Sequence, residues 1–363
     1  MTRSSARIIG SVAPTQDVVI VGAGIIGCAI GRELARRGAR VRIFESRSVG
    51  AGATHASAGV LAPYIEAHDR GPLFDLTLES LAMYDQFVSE VSAEAGIDVE
   101  YRRCGTVEVA MDPESTARLR EQVENQTEGV VQWLDAAATR LLEPALSESV
   151  QGGLFAAVHG YVSVPELTEA LAWAALRHGA QLETTDRVTT IRPAGPGLTV
   201  LTADGMVWRT DQVVVAAGSW SGQIATEPAP RPQVKPIRGQ LLRLRWDGEP
   251  LRHIIWGPDC YVVPWENGMV LVGATVEDVG FDERVTVAGV RRLLAAVTEL
   301  LPDAQQATFV DARAGLRPAS KDGLPIIRRS SDAVPHLIYA TGHYRNGVLL
   351  APLTAKLVAD LVF

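Results

Sequence analysis

Three glycines and one acid carry the clearest chemical signal in the chain. In residues 17–46, DVVIVGAGIIGCAIGRELARRGARVRIFES, Gly22, Gly24 and Gly27 stand in GxGxxG register, and Glu45 closes the apolar run that follows. Gly22 permits a tight turn, Gly24 lets the backbone approach a pyrophosphate, and Gly27 lets a helix pack close to its strand. A helix that starts here turns unpaired N–H groups and a partial positive charge toward the phosphates. A carboxylate at Glu45 can accept both ribose hydroxyls of an adenosine. Strand, glycine turn, helix, second strand and terminal acid occur in the order of a βαβ dinucleotide site. That agreement separates the segment from a merely structural glycine turn.

The surrounding pattern supplies the elements that would hold this site. Ile26, Ile30 and Leu34 recur at helical spacing within 25–37, and Gly38 follows as a stop. Residues 40–45 alternate as a strand. The loop 50–60, GAGATHASAGV, has no strong periodicity. Leu81, Tyr84, Val88 and Val91 mark one face of a helix over 73–91. Residues 106–110 read as a strand, and 165–178 as a helix entered through Pro165 and left at Gly179. Short strands fill 181–217. They end in QVVVAAGSWS (212–221), an apolar strand and helix start placed to return to the nucleotide. Alternating strands occupy 226–310, followed by a helix over 290–301. The chain closes with a strand, the turn GHYRNG and a helix with Leu349, Leu353, Leu357 and Leu361 on one face and Pro352 in its first turn.

Nucleotide-type βα elements at both ends predict an α/β and α+β fold: a discontinuous Rossmann-like cofactor-binding domain with a second, antiparallel-sheet substrate domain. The cofactor unit takes 17–90, 160–225 and 311–363, and the substrate unit 91–159 and 226–310. Residues 1–16 read as a flexible leader, too broken for a signal sequence. A length of 363 residues agrees with two domains. The 47% hydrophobic and 21% charged content describes an ordinary globular chain. A net charge of −8 with no basic stripe argues against nucleic acid as a partner. Cys28, Cys104 and Cys260 form no CxxC, which argues against a disulfide framework or metal site and for a reducing, cytoplasmic compartment. No run reaches the length of an integral membrane span.

Four segments together carry a wider likeness: VGAGIIG near the start, VVVAAGSWSG in the middle, AGLRPASKDGLPII at 314–327 and GHYRNGVLLAP at 342–352. With them the chain resembles the family of D-amino acid oxidases, sarcosine oxidases and glycine oxidases over nearly its whole length. CYVVP, GLRP..KDG and GHYRNGVLLAP draw it nearest to bacterial glycine oxidases of the thiamine pathway. The resemblance implies FAD held noncovalently by Gly22, Gly24, Ile25, Ile26, Gly27, Glu45, Ser46, Ala53, Thr54, Ala58, Gly59, Val60 and Val188. It also implies that His343, Tyr344, Arg345, Asn346, Gly347, Val348 and Leu349 lie beneath the flavin ring. Arg317 would hold a substrate carboxylate with help from Tyr261, and Arg345 would line the pocket chiefly through its main chain.

These residue types suit that chemistry. A guanidinium grips a carboxylate through two parallel hydrogen bonds and so sets the angle of the Cα–H bond. The flavin receives the hydride, so no catalytic base is named. Plainer readings stay open at this stage: Arg317 as a structural arginine paired with Asp322, Tyr261 as core, Arg345 as a surface ion pair, His343 as a turn residue. His55 does not match the spacing of a histidyl flavin link, and the absence of any cysteine after Cys260 excludes a cysteinyl one. Two positions depart from the family pattern. Val164 replaces an acid before Pro165, which should weaken a helix cap, and Arg328 stands where a glycine is usual.

The activity implied is oxidative deamination of glycine or another small amino acid or amine. Hydride passes from Cα to flavin N5 and gives an imine, with oxygen as acceptor, hydrogen peroxide as product, and the thiazole branch of thiamine biosynthesis as destination. The alternatives are a D-amino acid or hydroxy-acid dehydrogenase feeding a quinone, and a noncatalytic subunit that retains FAD. A homo-oligomer, of which a tetramer is one form, is also implied.

Overall fold

A computed structural model of the protein describes residues 17–66, 70–126 and 129–363, so the leader expected over 1–16 lies outside the described residues. The run Asp17–Val21 sits inside a six-stranded sheet. The order is Ile326–Ser331, Val334–Thr341, Gln212–Val215, Asp17–Val21, Arg40–Glu45, Gln181–Thr184. All neighbours are parallel except the Ile326–Ser331 edge. Parallel strands need cover on both faces, which explains the apolar runs 18–21 and 213–215 at the centre of the sheet. Val18 and Ile20 face a core shared with helices Ile25–Arg36, Pro72–Ala95, Val164–Arg177 and Ala351–Val362. Val19 and Val21 face the other side, where strands Val188–Ala194, Gly197–Thr202 and Val207–Thr210 form a three-stranded cover.

The second sheet has eight strands, in the order Thr308–Ser320, Val234–Arg245, Met269–Gly273, Tyr261–Pro264, Ile254–Trp256, Thr106–Ala110, Gly152–Ala156, Gln132–Asp135. Its pairings are antiparallel, save that Ile254–Trp256 runs parallel to Thr106–Ala110. Helix Val287–Leu300 packs on it through Leu293, Val297 and Leu300. The division into a discontinuous cofactor unit and a substrate unit is kept as a proposal; strand Thr308–Ser320 of the second sheet crosses its boundary at position 310.

Helix limits differ from the periodicity in three places. The helix expected over 73–91 runs Pro72–Ala95, because the left-handed residue that stops it is Gly96, at φ 70°. The helix expected over 290–301 starts at Val287, where the Thr286 side chain caps the N–H of Gly289. The last helix begins only at Ala351, so Leu349 belongs to the preceding turn. Its buried face is Leu353, Ala355, Val358, Ala359 and Val362, while Leu357 and Leu361 are half-buried. Ala351, Ala355, Val358, Ala359 and Val362 join the core shared with helix Ile25–Arg36, on which the last helix packs. At the first departure, Ser163 starts helix Val164–Arg177 with no side-chain cap, and Val164 is fully buried core. Arg328 is exposed on the edge strand.

Candidate active site

The glycine turn behaves differently at each of its three positions. Gly22 has φ +108°, and a Cβ there would stand 2.6 Å from the carbonyl oxygen of Ala216. A Cβ at Gly27 would stand 1.9 Å from the oxygen of Gly22, so only hydrogen fits between helix and turn. Gly24 faces open space, where a Cβ would meet only Thr54 Oγ1, at 3.3 Å. The N–H of Ile25 donates to Thr54 Oγ1 at 3.1 Å, while those of Gly24 and Ile26 donate to nothing among the described residues. Glu45 accepts from the N–H of Ala23 at 2.8 Å and of Arg47 at 2.9 Å. Each carboxylate oxygen has two lone pairs, so further acceptor capacity remains for hydroxyls.

From this turn a cavity of about 570 Å³ runs across the carboxyl ends of the parallel strands. Crevices at that edge of an open α/β sheet are where ligands bind. Gly22, Gly24, Ile25, Ile26, Glu45, Ser46, Ala53, Thr54, Ala58, Gly59, Val60 and Val188 line it at one end and along its length. His343, Tyr344, Arg345, Gly347 and Val348 line the other end, with Tyr261 and Arg317. Gly27, Asn346 and Leu349 do not line it. Gly27 is consumed in helix packing, Asn346 is buried in the turn, and Leu349 points into the core.

The turn 343–350 is docked rather than free. Tyr344, at φ 47°, donates its N–H to the carbonyl of Pro318 at 2.8 Å, which ties the turn to the residue after Arg317. Tyr84 Oη donates to the carbonyl of Val348 at 2.6 Å, and Ser80 Oγ to that of Leu349 at 2.7 Å. With those carbonyls held outward, the N–H groups of Arg345, Gly347, Val348 and Leu349 donate to nothing among the described residues. Buried unpaired N–H groups are rare, and a row of them is a ready site for a negatively polarised oxygen or nitrogen. They precede the helix by a turn rather than opening it, as the sequence pattern had suggested. His343 hydrogen-bonds Thr354 Oγ1 at 3.0 Å, and burial pulls its pKa down to about 4, so it is neutral.

Arg317 projects from strand Thr308–Ser320 into the cavity. One guanidinium nitrogen donates to the carbonyl of Thr275 at 2.9 Å. Among the described residues no carboxylate pairs with it, and Asp322 instead accepts the N–H of Leu324. Burial lowers its pKa, with the nearby Arg345 adding to the effect, but a guanidinium stays charged. Tyr261 lies beside it, its ring tilted on Trp256 with centroids 4.9 Å apart, and burial raises its pKa, so the phenol keeps its proton. Arg345 enters by its side chain as well as its main chain. It forms a bidentate pair with Glu66, at 2.6 and 2.8 Å, and its guanidinium lies 5.7 Å from the Trp256 ring centroid. Burial opposes the Arg345 charge, but Glu66 more than restores it and lifts the pKa above its ordinary value. Among the described residues, the ring end of the cavity thus holds one arginine paired with a carboxylate and one with no carboxylate partner. An uncompensated buried charge is costly unless a counterion arrives. Glu66, Trp256, Thr275, Ser80 and Tyr84 were not identified from the sequence. None sits in a motif, and each meets its partner only through the fold.

The arrangement can hold an extended dinucleotide on the glycine turn, and a small anion on Arg317 at the far end. Known proteins resemble this chain over nearly its whole length. The family model described as FAD dependent oxidoreductase matches residues 17–361. The chain is 37% identical over 351 residues to a glycine oxidase of Geobacillus kaustophilus, covering 95% of this chain and 92% of that protein. It is 36% identical to the bifunctional protein ThiO/ThiG of a Nostoc species, covering 96% of this chain but only 53% of that protein. The crystal structure of glycine oxidase from Geobacillus kaustophilus superposes with a TM-score of 0.91 at 36% identity, covering 96% of this chain and 94% of that one.

Proposed function

The chain belongs to the FAD-dependent oxidoreductase family, and on that premise we propose that it oxidises glycine, or another amino acid of similar size, at the Cα–N bond. The observation that carries the proposal is Arg317: a guanidinium facing the same cavity as the dinucleotide turn, with no carboxylate partner among the described residues. Noncovalent FAD would be held by the open face of Gly24 and the N–H groups of the first helix at its phosphates. Glu45 would take the ribose, and the unpaired N–H groups of Arg345, Gly347 and Val348 the flavin end. When bound, the flavin supplies the hydride acceptor.

The chain's own residues handle the substrate. The free edge of the Arg317 guanidinium takes the carboxylate through charge-assisted hydrogen bonds. Tyr261 offers a second donor and an apolar wall. Glu66 cancels the charge of Arg345, so the carboxylate has one cationic partner and one orientation instead of two. With His343 neutral, no second cation competes for the carboxylate or repels the substrate amine. Oxygen as acceptor with hydrogen peroxide as product, supply to the thiazole branch of thiamine biosynthesis, a cytoplasmic location and a homo-oligomer belong to the same proposal. The named oxidase relative supports the first of these, and the likeness to ThiO/ThiG the second. Peroxide release across a panel of glycine, sarcosine and D- and L-amino acids tests it. Turnover confined to small amino acids is the expected result, and silence across the panel would refute it.

A further inference from the structure

We propose that Gly239 is a positioning residue for the substrate carboxylate: its missing side chain is the seat on which the Arg317 guanidinium lies. This rests on the reading of Arg317 as the carboxylate clamp. Strands Val234–Arg245 and Thr308–Ser320 are antiparallel, with Ile237 opposite Arg317 and Gly239 opposite Gly315. Residues 237 and 239 share one face of the sheet, so the long side chain of Arg317 reaches diagonally over position 239. A Cβ on Gly239 would stand 2.1 Å from one terminal nitrogen of Arg317, 2.4 Å from the other and 2.3 Å from the carbon between them. The whole planar group therefore covers the glycine.

Backbone conformation does not explain a glycine at this position. Gly239 is absent from the residues with positive φ, so any L-residue could adopt its dihedrals. Glycine in the middle of a strand is otherwise unfavourable, and its use often marks close approach by another group. The same arrangement recurs on the neighbouring strand, Met269–Gly273. A Cβ on Gly273 would stand 2.5 Å from both Cζ and Oη of Tyr261, and Gly273 also lacks a positive φ. Each polar group at the substrate end thus rests on a bare strand position of one sheet.

A methyl group at 239 would push the guanidinium from 2.1 Å out to ordinary contact. At about 3.5 Å for that contact, the displacement is about 1.4 Å. It would break the 2.9 Å bond to Thr275 and tilt the fork out of register with the carboxylate. A misplacement of about 1 Å at a reacting centre can cost about a hundredfold. The obstructing atoms are the end of a flexible side chain, so the strand itself has no reason to move.

The test is a double-mutant cycle on the FAD-loaded enzyme with Gly239→Ala, Arg317→Ala and both together. Glycine turnover is measured alongside acetate binding, read from the visible spectrum. Gly239→Ala is expected to lower kcat/KM and weaken acetate binding by about tenfold to a hundredfold, with the resting flavin spectrum unchanged. In the Arg317→Ala background it should change neither by more than about threefold, because the atoms it collides with are gone. Equal losses in both backgrounds would overturn the proposal, as would wild-type acetate binding in Gly239→Ala. Unchanged kinetics in Arg317→Ala would instead sink the clamp reading beneath it. If Gly239→Ala alone fails to accumulate, the double variant must fold; a double variant equally unfolded refutes the seat.

Discussion

Replacing Arg317 by alanine removes the group on which the substrate assignment depends, and the structure sets the size of the effect. The guanidinium gives one donor to the carbonyl of Thr275 at 2.9 Å and keeps the rest of its fork for the cavity. Two charge-assisted hydrogen bonds to a carboxylate, at about 1.5–3 kcal/mol each, together contribute about 3–6 kcal/mol. That corresponds to a fall in kcat/KM for glycine of about a hundred- to about twenty-thousand-fold. The fold should tolerate the change. The lost bond to Thr275 costs about 1 kcal/mol, and no protein carboxylate is left unpaired, while a desolvated charge disappears. The melting temperature should therefore stay within about 3 °C of wild type. FAD content should be unchanged, because the glycine turn is at the opposite end of the cavity. The assay is peroxide release against glycine concentration on protein whose flavin-to-protein ratio has been measured. A loss of less than about threefold, or a loss that merely tracks lost flavin, would refute the reasoning.

Gly24→Val should give a folded protein without flavin, because its side chain would occupy the open face meant for the pyrophosphate and meets little else; visible absorbance and circular dichroism report the two properties separately. Tyr84→Phe removes the 2.6 Å bond that holds the carbonyl of Val348 outward, and should weaken FAD binding by about five- to tenfold, for about 1 kcal/mol, in a fluorescence titration. Acid should destabilise the apoprotein through His343, whose pKa is about 4 when folded against 6.5 in the open chain. As pH falls the unfolded chain takes up the proton first, so stability is lost between 6.5 and about 4, by up to about 3 kcal/mol. Urea midpoints across that range should fall less steeply in His343→Asn.

How much of this was legible in the sequence depends on how local each signal is. The turn at Gly22, Gly24 and Gly27 is read from one continuous segment whose strand, helix and acid lie within a few residues of each other. Arg317 and Tyr261 could be singled out because their motifs lie in runs, GLRP and CYVVP, that survive as strands. The pairing of Glu66 with Arg345 spans 279 positions, and that of Tyr84 with Val348 spans 264, so no periodicity or spacing could announce either. Gly239 gave no signal, since a glycine in an alternating run looks like a weakness until the side chain lying over it is seen. The face of the last helix was read only in part: of the leucines at i, i+4 spacing, Leu349 and Leu353 are buried but Leu357 and Leu361 only half-buried. Ala355, Val358, Ala359 and Val362, which no leucine stripe announces, complete its buried face.

The central claim is that a flavin held on the glycine turn shares one chamber with an arginine that binds a small amino acid. The most direct measurement follows the visible absorbance of the purified protein under anaerobic conditions as glycine is added. The account predicts a yellow protein that bleaches completely with glycine, and an Arg317→Ala variant that stays yellow until the concentration is at least a hundredfold higher. A protein that binds FAD and keeps its colour at saturating concentrations of glycine and every other small amino acid would contradict it.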